Sequence, residues 1–212
     1  MNHKKIGISL RVIQNKNYEE KRDAISHDWS QFCEELNFIP ILIPNTLSNI
    51  ELFLEKLELD GIILSGGGDI GLDIERDETE KKLLKYGIKN NLPILGVCRG
   101  MQIINKFFNG EVIKTQNNEH VNLDHSINII EESFSNIIGK EIFVNSYHNN
   151  IIFQNNLGKN LKPFAITKKD NSIEGFFHNQ YSVIGVMWHP ERKQNKNNKL
   201  LLQKIFTDDN DK

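Results

Sequence analysis

One rhythm in the first hundred residues limits this chain's choice of fold more than any other feature. Short, almost unbroken apolar runs alternate with amphipathic stretches of helical length. Ile6 to Leu10, Phe38 to Ile43 (punctuated by Pro40 and Pro44), Asp60 to Leu64 and Pro93 to Val97 read as four buried strands. Between them, Tyr18 to Leu36 places Ile25, Trp29, Phe32, Cys33 and Leu36 at helical spacing, and Ile50 to Leu57 and Thr79 to Asn90 read as two further helices. Strands that alternate with helices in this way predict an α/β fold with a mostly parallel, doubly wound sheet flanked by helices.

Beyond about Glu111 the texture changes. Ile127 to Ile130, Glu141 to Asn145, Phe164 to Thr167, Ile173 to Phe177 and Val183 to Trp188 are strand-like, with little helix between them, and Lys199 to Phe206 closes the chain as a helix. The Asn-rich patches Gln116–Asn118, Gln154–Asn156 and Gln194–Asn198 read as loops. No repeat and no linker divides the 212 residues, so the expectation is one domain over 1–212 with a small antiparallel extension.

Composition removes several function classes. With 26 basic and 28 acidic residues the net charge is -2, which supplies no footprint for a nucleic-acid backbone or an anionic membrane. Lys168-Lys169-Asp170 and Lys193 to Lys199 read as solvated polar turns. Two cysteines, Cys33 and Cys98, cannot make a disulfide framework, and the short apolar run before Leu10 suits neither a signal peptide nor a spanning helix. A cytoplasmic protein is expected, with free thiols.

The most informative stretch is Gly96-Val97-Cys98-Arg99-Gly100, where an apolar strand ends on a cysteine and a helix begins at once. A nucleophile on such a turn needs small neighbours, and a sulfur near a helix N-terminus is stabilised as thiolate. Alone, the pattern fits a small buried cysteine at a tight turn equally well. Cys33, mid-helix beside Phe32 and Leu36, reads as filler.

A thiol near neutral pH also needs a base, and the base needs an orienting group. Val183 to Met187 delivers Trp188-His189-Pro190-Glu191, in which Glu191 stands two residues after His189 and, in extended backbone, on the same face. Ser65-Gly66-Gly67-Gly68-Asp69 follows another buried strand. Its glycines suit a tight turn, a phosphate cradle without the lysine of a P-loop, or an oxyanion hole made by the N–H groups of Gly67 and Arg99.

Taken in order, these blocks resemble the class I glutamine amidotransferase-like superfamily, and within it the γ-glutamyl hydrolase branch (peptidase family C26, γ-glutamyl-γ-aminobutyrate hydrolase type). The likeness covers nearly the whole chain. Asp60 to Asp69 resembles the branch's oxyanion block, Arg76-Asp77 with Glu80 its helix start, Val144-Asn145-Ser146-Tyr147-His148 its substrate loop and Ile173-Glu174-Gly175 its penultimate strand. The resemblance implies a flavodoxin-like sheet and a Cys98–His189–Glu191 triad. It also implies a glutamyl site at Gly68, Gln102, Tyr147, His148 and Asn149. Arg99, in place of a leucine usual in synthetase-linked members, points to stand-alone hydrolases. The stretch after Asp69 is short and the loop from Lys114 to His125 is compact. Both features resemble hydrolases of nucleotide-linked γ-glutamyl amidates that serve capsular phosphoramidate modification.

His120, Asp124, His125 and His148 fit no zinc spacing, so no metal and no cofactor are expected. The expected partner is a small-molecule γ-glutamyl amide, with no nucleic acid and no membrane. A homodimer and a synthetase partner are both compatible with this reading. Its rivals are a glutaminase subunit that passes ammonia to a synthetase and a non-catalytic binding module of the same fold.

Overall fold

A computed structural model describes residues 3–115, 124–192 and 195–207. β1 (Lys4–Ser9) enters the core and is followed by a hairpin of β2 (Arg11–Gln14) and β3 (Lys21–Ala24). Then come α1 (His27–Glu35), β4 (Phe38–Ile43), α2 (Ile50–Leu57), β5 (Gly61–Leu64), α3 (Ile74–Lys89), β6 (Ile94–Val97) and α4 (Arg99–Phe107). The second half contains β7 (Ile113–Lys114), β8 (His125–Ile129), α5 (Glu132–Ile138), β9 (Glu141–Val144) and β10 (Asn150–Ile151). After a 3-10 turn at Gln154–Asn156 come β11 (Leu161–Thr167), β12 (Ile173–His178), β13 (Val183–Val186) and α6 (Lys196–Thr207).

Nine strands form one sheet in the order β4-β1-β5-β6-β13-β12-β11-β8-β9. The first five are mutually parallel, and from β13 to β9 every pairing is antiparallel. The expected antiparallel extension therefore continues the same sheet. Ile62, Ile63 and Leu64 are all buried because β5 is covered on both faces, as a parallel strand must be. Ile63 joins a cluster with Trp29, Phe32, Leu201 and Phe206, from α1 and α6. Ile62 and Leu64 join Leu54, Leu83 and Met101, from α2, α3 and α4. The period-two alternation of one strand thus feeds two cores, and each such aliphatic side chain stabilises by about 1.5–3 kcal/mol.

Caps and turns mark the places where the sequence pattern is too simple a guide. The helix expected from Tyr18 to Leu36 is β3, the second strand of the β2–β3 hairpin, followed by α1, which starts at His27 where the Ser26 side chain accepts from the Asp28 N–H. The hairpin is mostly exposed, so it carries little of the apolar alternation by which a strand is recognised. α3 starts at Ile74 rather than Thr79, because its first turn carries Glu75, Arg76 and Asp77 instead of apolar residues. α5 is a helix in the part of the chain expected to be nearly helix-free. It has seven residues and buries only Phe134 and Ile138, too short a pattern to register as a period. Residues 196–199 are the first turn of α6 rather than a polar turn, whereas Lys193, Gln194, residues 116–118 and His120 lie outside the described residues. Among the described residues no helix is long and apolar enough to cross a membrane.

Candidate active site

β5, β6 and β13 are parallel neighbours, so the three segments that follow them emerge side by side at one edge of the sheet. These are the glycine loop from Ser65, the elbow at Cys98 and the His189 turn. Open α/β sheets bind ligands at this edge. Gly67, Gly68, Cys98, Arg99, Gln102, Tyr147, His148, Asn149 and His189 line one cleft there, with Glu191 buried behind His189.

Packing accounts for both glycines of the elbow. A Cβ on Gly100 would come within 2.0 Å of the Leu64 carbonyl oxygen on β5, and one on Gly96 within 2.5 Å of the Gly100 carbonyl. Cys98 itself has φ 51° and ψ -104°, a strained backbone that costs a non-glycine residue roughly 1–3 kcal/mol and is characteristic of reactive elbows. Cys98 is the N-cap residue of α4, and its side chain shares the cleft with His189 and the start of that helix at Arg99. Burial alone would raise the thiol's pKa. The His189 hydrogen bond, the charges of His189 and His148 and the Arg99 amide outweigh it and hold Cys98 below the usual thiol range.

His189 is fixed from three directions. Its Nδ1 lies 2.7 Å from Glu191 Oε1, which leaves Nε2 for the sulfur. Asn145 clamps its backbone, with Nδ2 donating to the His189 carbonyl and Oδ1 accepting from the His189 N–H, both at 2.8 Å. Asn198 of α6 accepts from Trp188 Nε1 at 3.1 Å and donates to the Pro190 carbonyl at 3.3 Å. Burial lowers the imidazole's pKa, but the bonds to Cys98 and Glu191 raise it further, to about 9. One detail departs from expectation. Pro190, Glu191 and Arg192 form a turn, closed by the Arg192 N–H on the His189 carbonyl at 3.3 Å, so the carboxylate reaches the ring by chain reversal and not along an extended strand.

Behind the glycine loop lies a buried ion network. The Arg76 guanidinium donates to the Ser65 carbonyl at 2.7 Å, to the Gly66 carbonyl at 3.2 Å and also to the Gly67 carbonyl. Because a trans peptide points its C=O and the next N–H in opposite directions, this grip turns the Gly67 and Gly68 amides away from Arg76. Gly67 and Gly68, with φ 96° and 73°, need the freedom only glycine has. Glu80 accepts from Arg76 at 2.9 Å and from Ser9 at 2.8 Å, and it also pairs with Arg99, which reaches Asp77 as well. The Arg99 side chain thereby ties the start of α4 to α3, and an unpartnered charge in such a network costs about 3–5 kcal/mol.

A second acid–base cluster adjoins the cleft. Glu174, at the head of β12 and almost wholly buried, lies 3.5 Å from His148 Nε2 and 3.6 Å from His125 Nε2. Burial raises its carboxyl pKa, and the two histidines bring it down to about 2. His148 donates from Nδ1 to the Asn150 carbonyl at 3.0 Å, and although burial disfavours its charge, Glu174 raises its pKa. Of the histidines weighed as possible zinc ligands, His125 and His148 thus meet at one carboxylate. Among the described residues, no group of three or more His, Cys, Asp or Glu side chains is arranged to hold a metal ion. A charge in the apolar run Ile173-Glu174-Gly175-Phe176 was the available signal for this cluster. No sequence signal pointed to the Asn145 clamp, to Asn150 in the cleft wall or to Arg192 at its mouth.

The family model described as Peptidase C26 matches residues 5–191. The γ-glutamyl-CDP-amidate hydrolase of Campylobacter jejuni is 33% identical over 211 residues, covering 95% of this chain and 97% of that protein. A subunit of the glutamine-hydrolyzing GMP synthase of Methanococcus aeolicus is 31% identical over 166 residues, covering 76% of this chain and 80% of that one. The crystal structure of a glutamine amidotransferase from Thermotoga maritima superimposes with a TM-score of 0.67 at 16% identity, over 90% of this chain and 77% of that one, a likeness of fold alone.

Proposed function

Since the chain belongs to the peptidase C26 family and is a hydrolase of carbon–nitrogen bonds, we propose that it cleaves γ-glutamyl amides through a glutamyl thioester on Cys98. The observation that carries this reading is the grouping of Cys98 and His189 in one cleft, with the His189 ring held by buried Glu191, beside a glycine loop whose carbonyls are held away from the cleft. The thiolate attacks the γ-carbonyl carbon, and the resulting oxyanion is met by the N–H groups of Gly67 and Arg99. The C–N bond then breaks, and the proton on His189 passes to the leaving nitrogen. Water, giving its proton back to His189, attacks the thioester, expels the sulfur as thiolate and releases L-glutamate. Gln102, Gly68, Tyr147, His148 and Asn149 hold the glutamyl group.

The substrate we propose is a γ-glutamyl-CDP-amidate, after the relative that covers almost the whole chain, hydrolysed in capsular phosphoramidate modification. An acid-quenched single turnover with that substrate should add a glutamyl mass to the Cys98 peptide, and a chain that turns over substrate without labelling Cys98 removes the mechanism. A second reading, favoured by the GMP synthase relative, is a glutaminase subunit that delivers ammonia to a synthetase. It predicts glutamine hydrolysis that rises sharply when a synthetase partner is added. If γ-glutamyl-CDP-amidate is hydrolysed without any partner, that second reading fails.

A further inference from the structure

The leaving group must emerge where His189 can hand it a proton, and the residues around that point have a common character. The Tyr147 ring meets the His189 ring edge-on at 6.0 Å, and the Arg192 guanidinium lies over the same tyrosine at 4.3 Å, in the wall of the cleft. Opposite, the glycine loop presses on the same histidine. A Cβ on Gly66 would come within 2.6 Å of His189 Cε1, and one on the next residue, Gly67, would meet the Arg11 guanidinium at 3.4 Å. Two guanidinium groups therefore lie close to this part of the site, Arg192 in the cleft wall from the turn after β13 and Arg11 of the β2–β3 hairpin against Gly67 of the glycine loop.

The other side is different in kind. There Asn150 donates to Asp69 at 3.1 Å and to Gln102 at 3.4 Å, and Asp69 faces Lys114 at 3.6 Å. Neutral amides and a paired carboxylate suit the amino-acid end of a glutamyl group. The cleft encloses about 190 Å³, below the roughly 300 Å³ at which pockets for larger ligands begin. A volume of that size suits a glutamyl group better than a whole nucleotide-linked substrate, so a large leaving group must extend beyond the cleft.

Neither Arg11 nor Arg192 pairs with a carboxylate among the described residues, and Arg11 lies close enough to Arg76 for their charges to repel. Positive charge beside a cleft raises the local concentration of anions, and a guanidinium matches phosphate oxygens two at a time. We infer that Arg11 and Arg192 are specificity-determining residues that grip a phosphorylated leaving group as it departs from His189. The inference rests on the proposed hydrolase reading and assigns residues to its leaving-group side. In an amidate the phosphorus is bonded to the nitrogen that His189 protonates, so the first phosphate oxygens leave from the His189 side, where Arg192 lines the cleft and Arg11 lies behind Gly67.

The test uses the full chain hydrolysing γ-glutamyl p-nitroanilide, with CDP, pyrophosphate and triglutamate as inhibitors. CDP and pyrophosphate should inhibit the wild type competitively. Arg11→Ala and Arg192→Ala should each weaken that inhibition by about 10- to 100-fold, with Arg192→Lys in between. For γ-glutamyl-CDP-amidate, each alanine variant should lower kcat/KM relative to the anilide by a similar factor. The inference is overturned if CDP and pyrophosphate do not inhibit a turning-over wild type, or if both alanine variants keep wild-type inhibition constants. It also falls if triglutamate inhibits as strongly as CDP with the same arginine dependence, since the site would then serve carboxylates. A wild type that hydrolyses no γ-glutamyl amide would instead overturn the hydrolase reading itself.

Discussion

Cys33 and Cys98 belong to the same hydrophobic cluster on the same face of the sheet, yet their thiols are driven in opposite directions. Cys33 lies in the middle of α1, 1% exposed, and burial alone pushes its thiol up to about 12. Cys98 is only slightly more exposed, at 7%, and carries the same kind of desolvation penalty. What separates them is not depth but neighbours. Cys98 has an imidazole, a second histidine's charge and the backbone amide of a helix start, whereas at Cys33 burial acts unopposed. Burial makes an inert thiol by default, and a reactive one requires that nearby polar groups be aimed at the sulfur.

The sharpest way to break this contrast is to delete each sulfur in turn. Cys98→Ala should lower kcat by at least about ten-thousandfold on any γ-glutamyl amide, with the thermal unfolding transition retained. Cys33→Ala should keep turnover. Steady-state kinetics and calorimetry on both variants check this, and comparable losses in the two would erase the distinction. A smaller effect tests the orienting group. Glu191→Gln keeps the shape beside His189 but removes the charge that holds the ring and its proton, and kcat should fall between about a hundredfold and ten-thousandfold. The loss should be accompanied by slower alkylation of Cys98, because the thiolate's counter-cation is weakened; an unaltered alkylation rate would mean that Glu191 does not act through the imidazole. The smallest effect concerns Cys33 as core filler. Cys33→Ser buries a hydroxyl among Trp29, Phe32 and Leu36 and should reduce the unfolding free energy by about 1–3 kcal/mol in a denaturant titration, with activity per folded molecule preserved.

The same contrast explains what is legible in the sequence. Cys98 can be recognised because its requirements are local along the chain: a strand, two glycines forced by the contacts with Leu64 and within the elbow itself, and a helix start. The parallel strands are equally visible, since burial on both faces leaves an unbroken apolar run. Whatever depends on distant partners is not visible. Arg76, Asp77 and Glu80 stand out only as a family-like block; that Arg76 holds three successive carbonyls of the glycine loop, and that Glu80 and Asp77 neutralise Arg99, emerges only when α3 is laid against α4. Asn145 lies 44 residues from the histidine it clamps. The β2–β3 hairpin that carries Arg11 escapes recognition because its residues are largely solvated and obey neither the helical nor the strand period.

The central claim, that position 98 carries a thiolate stabilised by His189 while position 33 carries an ordinary buried thiol, is tested most directly by site-resolved alkylation. Iodoacetamide rates at both cysteines are followed by peptide mass mapping as a function of pH, in the wild type and in His189→Ala. With Cys98 lowered and His189 raised to about 9, the thiolate–imidazolium pair persists as pH falls below the ordinary thiol value of 9.0. The Cys98 rate should therefore fall off at lower pH than that of an ordinary thiol and lose this displacement in His189→Ala, while Cys33 stays unlabelled. A Cys98 rate that drops about tenfold per pH unit below 9.0 in the wild type, indistinguishable from His189→Ala, would contradict the account.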